Sequence, residues 1–397
     1  MRGLRKYLTP FAPDQSGAVS MCYALGGMVV IVDAGGCAGN ICGFDEPRWQ
    51  PDYPSSQKPE GMGPDDVPKT KRVGAVFSAG LRDMDAILGR DDFLVKKLEE
   101  ASRKIDAAFI ALIGTPVPTV IGTDLRSVAG MAERATGLPC IAVSTDGMHL
   151  YERGIGESLL ALLERFSGDE TDRNTDTPGH ENASSQEFLP KRICGVLGLN
   201  PLDLFDPSWI ESVRASLLDQ GYDEVLLFGM DGGLEAFQKS SQAERNYVVS
   251  PAGIEAADYL KEKYQTPYEV SFPADPGILL EEDPAPVLSS LKPDSHILVV
   301  HQQVLANAIR RSLQQAGFDG SITAATWFEC RKELALPGDV KLREEDDFIS
   351  LATERKWDLI IADPTLKPMA AGYHGKWIDA FHFAVSGQAA IDRSRNR

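Results

Sequence analysis

The sequence contains few cysteines for its length, six in 397 residues. Their spacing is irregular, and the paired CxxC motifs of a structural zinc site are missing. Nor do they form the dense framework of a disulfide-stapled secreted domain. The cysteine pattern therefore indicates free or metal-bound thiols in a reducing cytoplasm.

Basic residues and long apolar runs are also scarce. Lysine and arginine number 40 against 58 aspartates and glutamates, so the formal net charge is −18. This charge argues against a nucleic-acid partner, which needs a basic surface, and solubility is its simplest explanation. No apolar run is long enough for a membrane helix, and Pro10 and Pro13 interrupt the basic N-terminus where a signal peptide would continue. We expect neither a nucleic-acid nor a membrane partner.

The composition that remains is that of a globular, enzyme-like protein, with 43% hydrophobic and 25% charged residues. Short apolar segments alternate with amphipathic ones, which is the order of parallel βαβ units. We predict an α/β protein of three doubly wound, Rossmann-like domains with mainly parallel sheets. The domains are residues 1–167, 191–285 and 286–397, and the polar segment 168–190 is a flexible linker.

The predicted elements follow from apolar runs and helix-start signals. Predicted strands are 26–32, 73–77, 107–113, 138–143, 193–199, 224–228, 247–250, 296–300 and 358–362, and predicted helices are 91–108, 122–134, 208–219, 253–264 and 303–316.

A glycine-rich turn with two cysteines follows the first apolar strand. Cys37 and Cys42 lie within it, and Gly36 and Gly39 allow the backbone to approach a bulky ligand. Thiolates are soft ligands for iron–sulfur clusters, zinc or copper(I). Because one pair is half of a four-thiolate site, the motif points to a second chain. The alternative is that both cysteines are small buried hydrophobes.

The other cysteines sit in apolar surroundings, so we expect structural roles for Cys22, Cys140, Cys194 and Cys330.

Several polar residues are weaker candidates. Asp45, Glu46 and Arg48 follow the cysteine turn and could anchor a substrate, tune a cluster, pair with another subunit or cap a helix. His149 and His374 are single histidines, which are more often structural than ligating. The glycine turn 229–233 could cradle a ligand or begin a helix.

The order of these motifs resembles the nitrogenase component 1 superfamily over nearly the whole chain. Gly35-Gly36-Cys37 matches the family's Gly-Cys turn after an apolar strand. The segment 115–124 matches its Thr-Cys-Pro-x-x-x-Ile-Gly-Asp-Asp loop, and 136–139 matches its Thr-Gly-x-Pro sequence.

The departures from the family pattern concern its metal ligands. The family's inter-subunit cluster usually takes three cysteines per chain, and only Cys37 occupies such a position. Pro116 stands at the second position, and Ala12 or Pro13 at the first. No cysteine lies in 228–256, where nitrogenase holds its cofactor. The resemblance therefore implies that this chain does not bind that cofactor in the nitrogenase manner.

The resemblance implies a redox protein. One cysteine pair from each of two chains would supply four thiolates, enough for a 4Fe–4S cluster held by Cys37 and Cys42. Electrons would come from an ATP-dependent iron–sulfur reductase and pass to an unidentified substrate other than dinitrogen. The second chain would be an identical copy or a homologous component 1 subunit. Asp14 is a further cluster-ligand candidate, because one family branch uses an aspartate there, and His374 lies where the family closes its cofactor cavity.

Two alternatives remain. The protein could be a non-catalytic scaffold that assembles or carries a metallocofactor, like the family's assembly subunits. It could also be a metal-free α/β protein that kept the fold and lost the cluster.

Overall fold

The computed structural model describes residues 6–42, 74–82, 91–168, 191–203, 208–230 and 233–386. Within them, the chain forms three parallel sheets with helices between successive strands. The predicted α/β class with parallel sheets is therefore confirmed. The central strands are apolar and buried throughout, as expected of parallel strands covered on both faces.

The first two sheets have four strands each and the third has five. Their strands, numbered along the chain, are β1 Met28–Ile31, β2 Ala75–Ser78, β3 Ile110–Ile113, β4 Cys140–Val143, β5 Ile193–Leu197, β6 Glu224–Phe228, β7 Arg245–Val248, β8 Tyr268–Val270, β9 His296–Val300, β10 Ser321–Thr326, β11 Val340–Lys341, β12 Leu359–Ala362 and β13 Lys376–Asp379.

The α-helices of the described residues are numbered in the same way. They are α1 Asp14–Ala24, α2 Gly36–Asn40, α3 Asp91–Ser102, α4 Pro116–Ile121, α5 Leu125–Thr136, α6 Tyr151–Phe166, α7 Ser208–Asp219, α8 Gly233–Gln238, α9 Ile254–Tyr264, α10 Ala285–Leu288, α11 Gln303–Gln315, α12 Glu345–Glu354 and α13 Phe383–Ser386. No helix in these parts of the chain is both long and apolar enough to cross a membrane.

Each sheet contains one place where the winding of the chain reverses. The strand orders are β2-β1-β3-β4, β6-β5-β7-β8 and β11-β10-β9-β12-β13. The reversal falls between β1 and β3, between β5 and β7, and between β9 and β12. Ligands of doubly wound sheets bind beyond the carboxyl ends of the strands at such switch points. The loops after these six strands are therefore where a site is expected.

Most predicted elements are present with small shifts of their ends. The structure has helix Ser208–Asp219 and strands Glu224–Phe228 and His296–Val300 at the predicted bounds. The predicted helix 91–108 is too long, because it stops at Ser102. The three sheets fall within the three predicted domain segments, but the domain bounds themselves stay a prediction, and 169–190 lies outside the described residues.

Helices α1 and α6 pack backbone against backbone in the first segment. A Cβ atom on Gly17 would overlap the carbonyl oxygen of Tyr151, and one on Gly154 would overlap the carbonyl oxygen of Asp14. Only glycine permits such an approach from both sides. At these two glycines the backbones of the two helices are therefore in direct contact.

We expect Gly154→Ala to destabilise the protein by about 1–3 kcal/mol or more, because the added methyl group must push the two backbones apart. Gly130→Ala is the matched control. Gly130 lies inside α5, and its Cβ would meet only the flexible tip of Arg134, at 3.5 Å. Alanine there should raise stability by up to about 1 kcal/mol. Chemical unfolding of both variants checks this, and equal stabilities would contradict the packing argument.

Candidate functional site

The cysteine turn lies at the switch point of the first sheet. It follows β1, and the buried carboxylate of Asp33 holds it in place. One oxygen of Asp33 accepts a hydrogen bond from the backbone N–H of Ala38 at 2.8 Å, and the other accepts one from the Ser78 hydroxyl at 2.6 Å. Gly35 has a φ of 114°, which a side-chain-bearing residue rarely adopts. These contacts begin α2 with Cys37 in its first turn.

Cys37 faces the loop after β3. Its half-buried thiol shares a hydrogen bond with the Thr115 side chain, whose hydroxyl donates to the carbonyl of Val32 at 2.8 Å. Burial raises the pKa of Cys37, the charge of Asp33 raises it further, and the Thr115 bond opposes both. A metal would therefore have to displace a proton from this thiol. The two loops matched by the family motifs thus meet in the structure, with Pro116 starting α4 beside them.

Cys42 lies two residues after the end of α2 and is also half-buried. Side-chain atoms added at Gly36 or Gly39 would meet no described atom within 4 Å, so the described residues leave space around this turn. Among those residues, no group of three or more potential metal ligands includes either cysteine. The roles of Cys37 and Cys42 as cluster ligands therefore stay a prediction, and a four-thiolate cluster at this turn would need further ligands.

Asp14 and His149, separate candidates in the sequence, come together in the structure. The fully buried Asp14 carboxylate accepts backbone hydrogen bonds from Asp146 at 3.0 Å and Gly147 at 2.9 Å. Burial raises its pKa, and it shares a side-chain hydrogen bond with Asp146, which also contacts His149 Nδ1 at 3.0 Å. The geometry places Asp14 as the residue that holds the loop after β4.

The other polar candidates have different positions. His374 is exposed and is not among the residues that line the cavity described below. Gly229 packs tightly, since a Cβ there would meet Met21 Sδ at 2.9 Å, so this part of the glycine turn supports packing rather than a cradle. Asp45, Glu46 and Arg48 lie outside the described residues. Cys22, Cys140 and Cys194 are buried, and burial raises the pKa of each to about 12.

A cavity of about 470 Å³ lies where parts of all three segments meet. The first segment contributes the loop after β4 and the start of α6. The second segment contributes the loop after β7 and the start of α9. The third segment contributes the stretch that follows β10, together with β11 itself. Its lining residues are Met148, His149, Leu150, Glu152, Arg153, Gly156, Glu157, Pro251, Ala252, Glu255, Phe328, Glu329, Arg331 and Lys341. The lining is thus rich in charge and contains no thiol.

Glu152 is the most buried charged residue of this lining, with 2% of its surface exposed. One carboxyl oxygen accepts the backbone N–H of Glu329, while Oε1 has no partner among the described residues. Burial raises the pKa of Glu152 well above its usual value, and the charge of Asp203 adds to this. Burial therefore favours the protonated form of this side chain.

The basic residues of the lining are occupied within the protein. Arg153 pairs with Glu157 at 2.9 Å, and Arg331 pairs with Glu329 at 2.6 Å. Lys341 donates to the carbonyl oxygens of Trp327, at 2.7 Å, and Phe328. Burial lowers the pKa of Lys341, although the charge of Glu152 opposes this.

A buried polar junction lies next to the cavity. We define it as Tyr151, Asp203, His301, Asp363 and His382, all of which are buried. Asp203 Oδ1 accepts the Tyr151 hydroxyl at 2.5 Å and lies 3.3 Å from His382 Nε2. His382 donates its backbone N–H to Asp363 at 3.0 Å, and its ring stacks on that of His301 at 4.3 Å.

The junction combines two switch points. Asp203 follows β5, while His301 and Asp363 follow β9 and β12. Burial alone would raise the pKa of Asp203. The hydrogen bond from His382, the charge of His382 and the hydrogen bond from Tyr151 together outweigh burial, so the pKa of Asp203 is lowered. Phe328 separates the junction from the cavity, packing against the rings of Tyr151 at 5.2 Å and His382 at 4.5 Å.

These residues were not among the sequence-based candidates. The rule that ligands collect at carboxyl ends of strands could have pointed to the region after β5, where Asp203 lies in the short polar turn that begins at Asn200. No comparable signal marks Glu152 or Lys341, because each owes its position to a contact with a distant segment.

Comparison with known proteins gives the family. The sequence profile of the family described as nitrogenase component 1 type oxidoreductase matches residues 66–277, more than half of the chain. The chain belongs to this family. The resemblance seen in the sequence is thereby confirmed.

Curated relatives match part of the chain. It is 27% identical over 215 residues to the nitrogenase iron-molybdenum cofactor biosynthesis protein NifE of Klebsiella pneumoniae, covering 52% of this chain and 43% of that protein. It is 28% identical over 130 residues to the NifE of Methanococcus maripaludis, covering 32% and 26%. The matches therefore span less than half the length of these relatives.

Solved structures extend the comparison to the whole fold. A structure titled "Nitrogenase Cp1 at pH 6.5" superimposes with a TM-score of 0.65 over 96% of this chain and 87% of that one, at 10% identity. A second, "Nitrogenase Cp1 at pH 5", gives 0.55 over 100% and 80%, at 16% identity. At these identities the likeness shows the fold alone, which confirms that the family architecture covers nearly the entire chain.

The junction generates a prediction about pH. Burial, followed by the charge of His382, lowers the pKa of His301 to about 3, so its neutral form is kept on folding. The unfolded chain takes up this proton near its ordinary pKa of about 6.5, and the stabilisation is lost progressively as the pH falls from there towards the folded value. Between pH 7 and pH 5 this loss is about 2 kcal/mol.

The variant His301→Gln should lack this part of the pH dependence. Denaturant titrations at pH 7 and pH 5 give, for each protein, the change in unfolding free energy between the two pH values. Subtracting the change in the variant from that in the wild type removes the contribution of titrating groups that the two proteins share. His296→Gln is the control, since His296 is an exposed histidine at the start of β9. An equal pH dependence in wild type and His301→Gln would show that His301 is not buried neutral.

Proposed function

We propose that this chain is a nitrogenase-like reductase component that passes electrons through a 4Fe–4S cluster to a substrate other than dinitrogen, held in the cavity between the three segments. The observation that carries the proposal is the cysteine turn at the switch point of the first sheet. Family membership and two half-buried thiols at this turn support a bound group. Cys37 and Cys42 would hold it, with Gly36 and Gly39 allowing its close approach.

The cluster needs ligands from a second subunit, either an identical copy or a homologous component 1 chain. The same edge of the first sheet supports such a partner. Val120 in α4 and Met148 after β4 are each 84% exposed, and Ile121 is 39% exposed. Apolar side chains exposed in this way are common at sites covered by another protein.

The chemistry of the bound cluster would be one-electron transfer. The residues of this chain would bind and orient the substrate. Leu150 and Phe328 would form an apolar part of the cavity wall, and the carboxyl and guanidinium groups of the lining would offer hydrogen bonds. Electrons would come from an ATP-dependent iron–sulfur reductase, which we propose as the second partner on the basis of the family.

The test is anaerobic purification followed by iron and sulfide analysis. We expect the wild type to contain iron and acid-labile sulfide, and Cys37→Ser and Cys42→Ser each to lose most of both. Cys330→Ser is the matched control, because Cys330 is also half-buried but lies beside Gln303 in the third segment. It should retain the wild-type iron content.

Two results would contradict the proposal. An iron-free wild type that is active would exclude the cluster. Iron retained in both turn variants but lost in Cys330→Ser would place the metal elsewhere.

A second function, assembly or transport of a metallocofactor, is favoured by the curated relatives, whose names describe them as iron-molybdenum cofactor biosynthesis proteins. Turnover distinguishes the two. A reductase component converts many equivalents of substrate per chain with its reductase partner, whereas a carrier releases its cargo once. A single transfer without turnover would favour the carrier.

A further inference from the structure

On residues that line the cavity, three buried polar atoms have no hydrogen-bond partner within the described parts of the chain. They are Oε1 of Glu152, Oε2 of Glu157 and Nε of Arg331. Buried polar groups in proteins nearly always have a partner, and an unmet one is costly. Their occurrence around one cavity points to a ligand that would satisfy them.

The charges of the lining indicate the sign of that ligand. It contains four glutamates, three arginine or lysine residues and one histidine. Each of these basic residues already has an acidic or carbonyl partner within the chain, as described above. Glu152, by contrast, forms no salt bridge among the described residues, and its Oε1 has no hydrogen-bond partner there. The capacity left over is therefore mainly that of a hydrogen-bond acceptor and a negative charge.

We propose that the cavity binds a small organic cation with several N–H donors, an amine or guanidine, through Glu152 and Glu157. The donors of such a molecule would satisfy Oε1 of Glu152 and Oε2 of Glu157. An acceptor or a water at the other end would satisfy Nε of Arg331. The inference rests on the proposed function only in naming this ligand a substrate, since the binding itself depends on the cavity alone.

A metal ion or cluster would fit the position between Glu152 and Glu157 less well. A metal cluster would require soft ligands, and no cysteine lines the cavity. A hard divalent cation needs several oxygen ligands converging on one point. Among the described residues, Glu152 and Glu157 belong to no group of three convergent metal ligands. Donors spread along an organic molecule could reach the two carboxyl groups without such convergence.

Binding of a cation should be linked to a proton. Burial raises the pKa of Glu152, the charges of Asp203 and Glu329 act in the same direction, and the backbone bond from Glu329 and the charge of Lys341 oppose them. Burial also raises the pKa of Glu157, with Asp14 and Asp146 adding to it and Arg153 opposing. A bound cation favours the carboxylates, so it should expel protons and bind more tightly as the pH rises.

The experiment is calorimetric titration of the full-length protein with agmatine, which carries an ammonium and a guanidinium group. Titrations at pH 6 and pH 8, each in two buffers of different ionisation enthalpy, report both affinity and proton release. We expect saturable binding with one site per chain, tighter at pH 8, with protons released to the buffer. Glu152→Gln should weaken binding at least tenfold and reduce the proton release.

Matched variants and ligands complete the design. Glu282→Gln, at an exposed glutamate outside the cavity, should bind agmatine as the wild type does. Thermal unfolding shows whether Glu152→Gln is folded. If it is not, agmatine binding to Glu157→Gln tests the inference in its place. Adipate, a dianion of similar length, and magnesium chloride should not bind at this site.

The inference is overturned if agmatine shows no saturable binding, if adipate or magnesium binds in a manner that depends on Glu152, or if neither glutamate variant weakens agmatine binding. Iron analysis is independent of these titrations. A protein that contains the cluster but does not bind agmatine would refute this inference and leave the proposed electron transfer standing.

Discussion

The carboxylate of Asp203 is the group on which the three segments converge. It comes from the second sheet, yet its hydrogen-bond partners include Tyr151 of the first segment and His382 of the third. A charge buried to this extent is tolerable only when it is fully partnered, so each segment is required by the other two. Tyr151 is followed directly by Glu152, and Phe328 packs on Tyr151, so residues of the cavity wall lie next to the groups that hold this carboxylate.

Much of the fold could be predicted because its strands are short apolar runs buried on both faces. Such a run can be recognised in the sequence without knowing which strands it pairs with. The Cys37 turn could be placed for the same reason, since it directly follows such a strand. Helix ends were less certain, as the early stop at Ser102 shows. Helix α6 was absent from the predicted elements, although it carries Tyr151 and Glu152. The junction could not be predicted from the sequence. Tyr151 and His382 are 231 residues apart, and neither lies in a local pattern that indicates the other.

The family relationship and the site chemistry give different kinds of information. The fold and the family are shown over most of the chain. The resemblance to the family, in contrast, implies that Pro116 stands where the family usually has a cysteine ligand. In this structure the two thiols of the cysteine turn lie at the edge of the first sheet, and the charged groups of the cavity lining are those of oxygen and nitrogen. A chain can thus keep an architecture and the position of its switch points while the chemistry presented there changes, since loops at the carboxyl ends of strands vary without disturbing the buried sheets.

The glycine contact between α1 and α6 has a mechanical consequence. Helix α1 leads through β1 into the cysteine turn, and α6 carries residues of both the junction and the cavity. A contact made by backbone atoms contains no side-chain rotamers that could absorb a displacement, and packed interiors transmit strain. A small rotation of one helix must therefore be followed by the other. A partner that binds at the edge of the first sheet and displaces α1 would therefore also displace α6. Through the contact at Gly17 and Gly154, such binding would change the wall of the cavity.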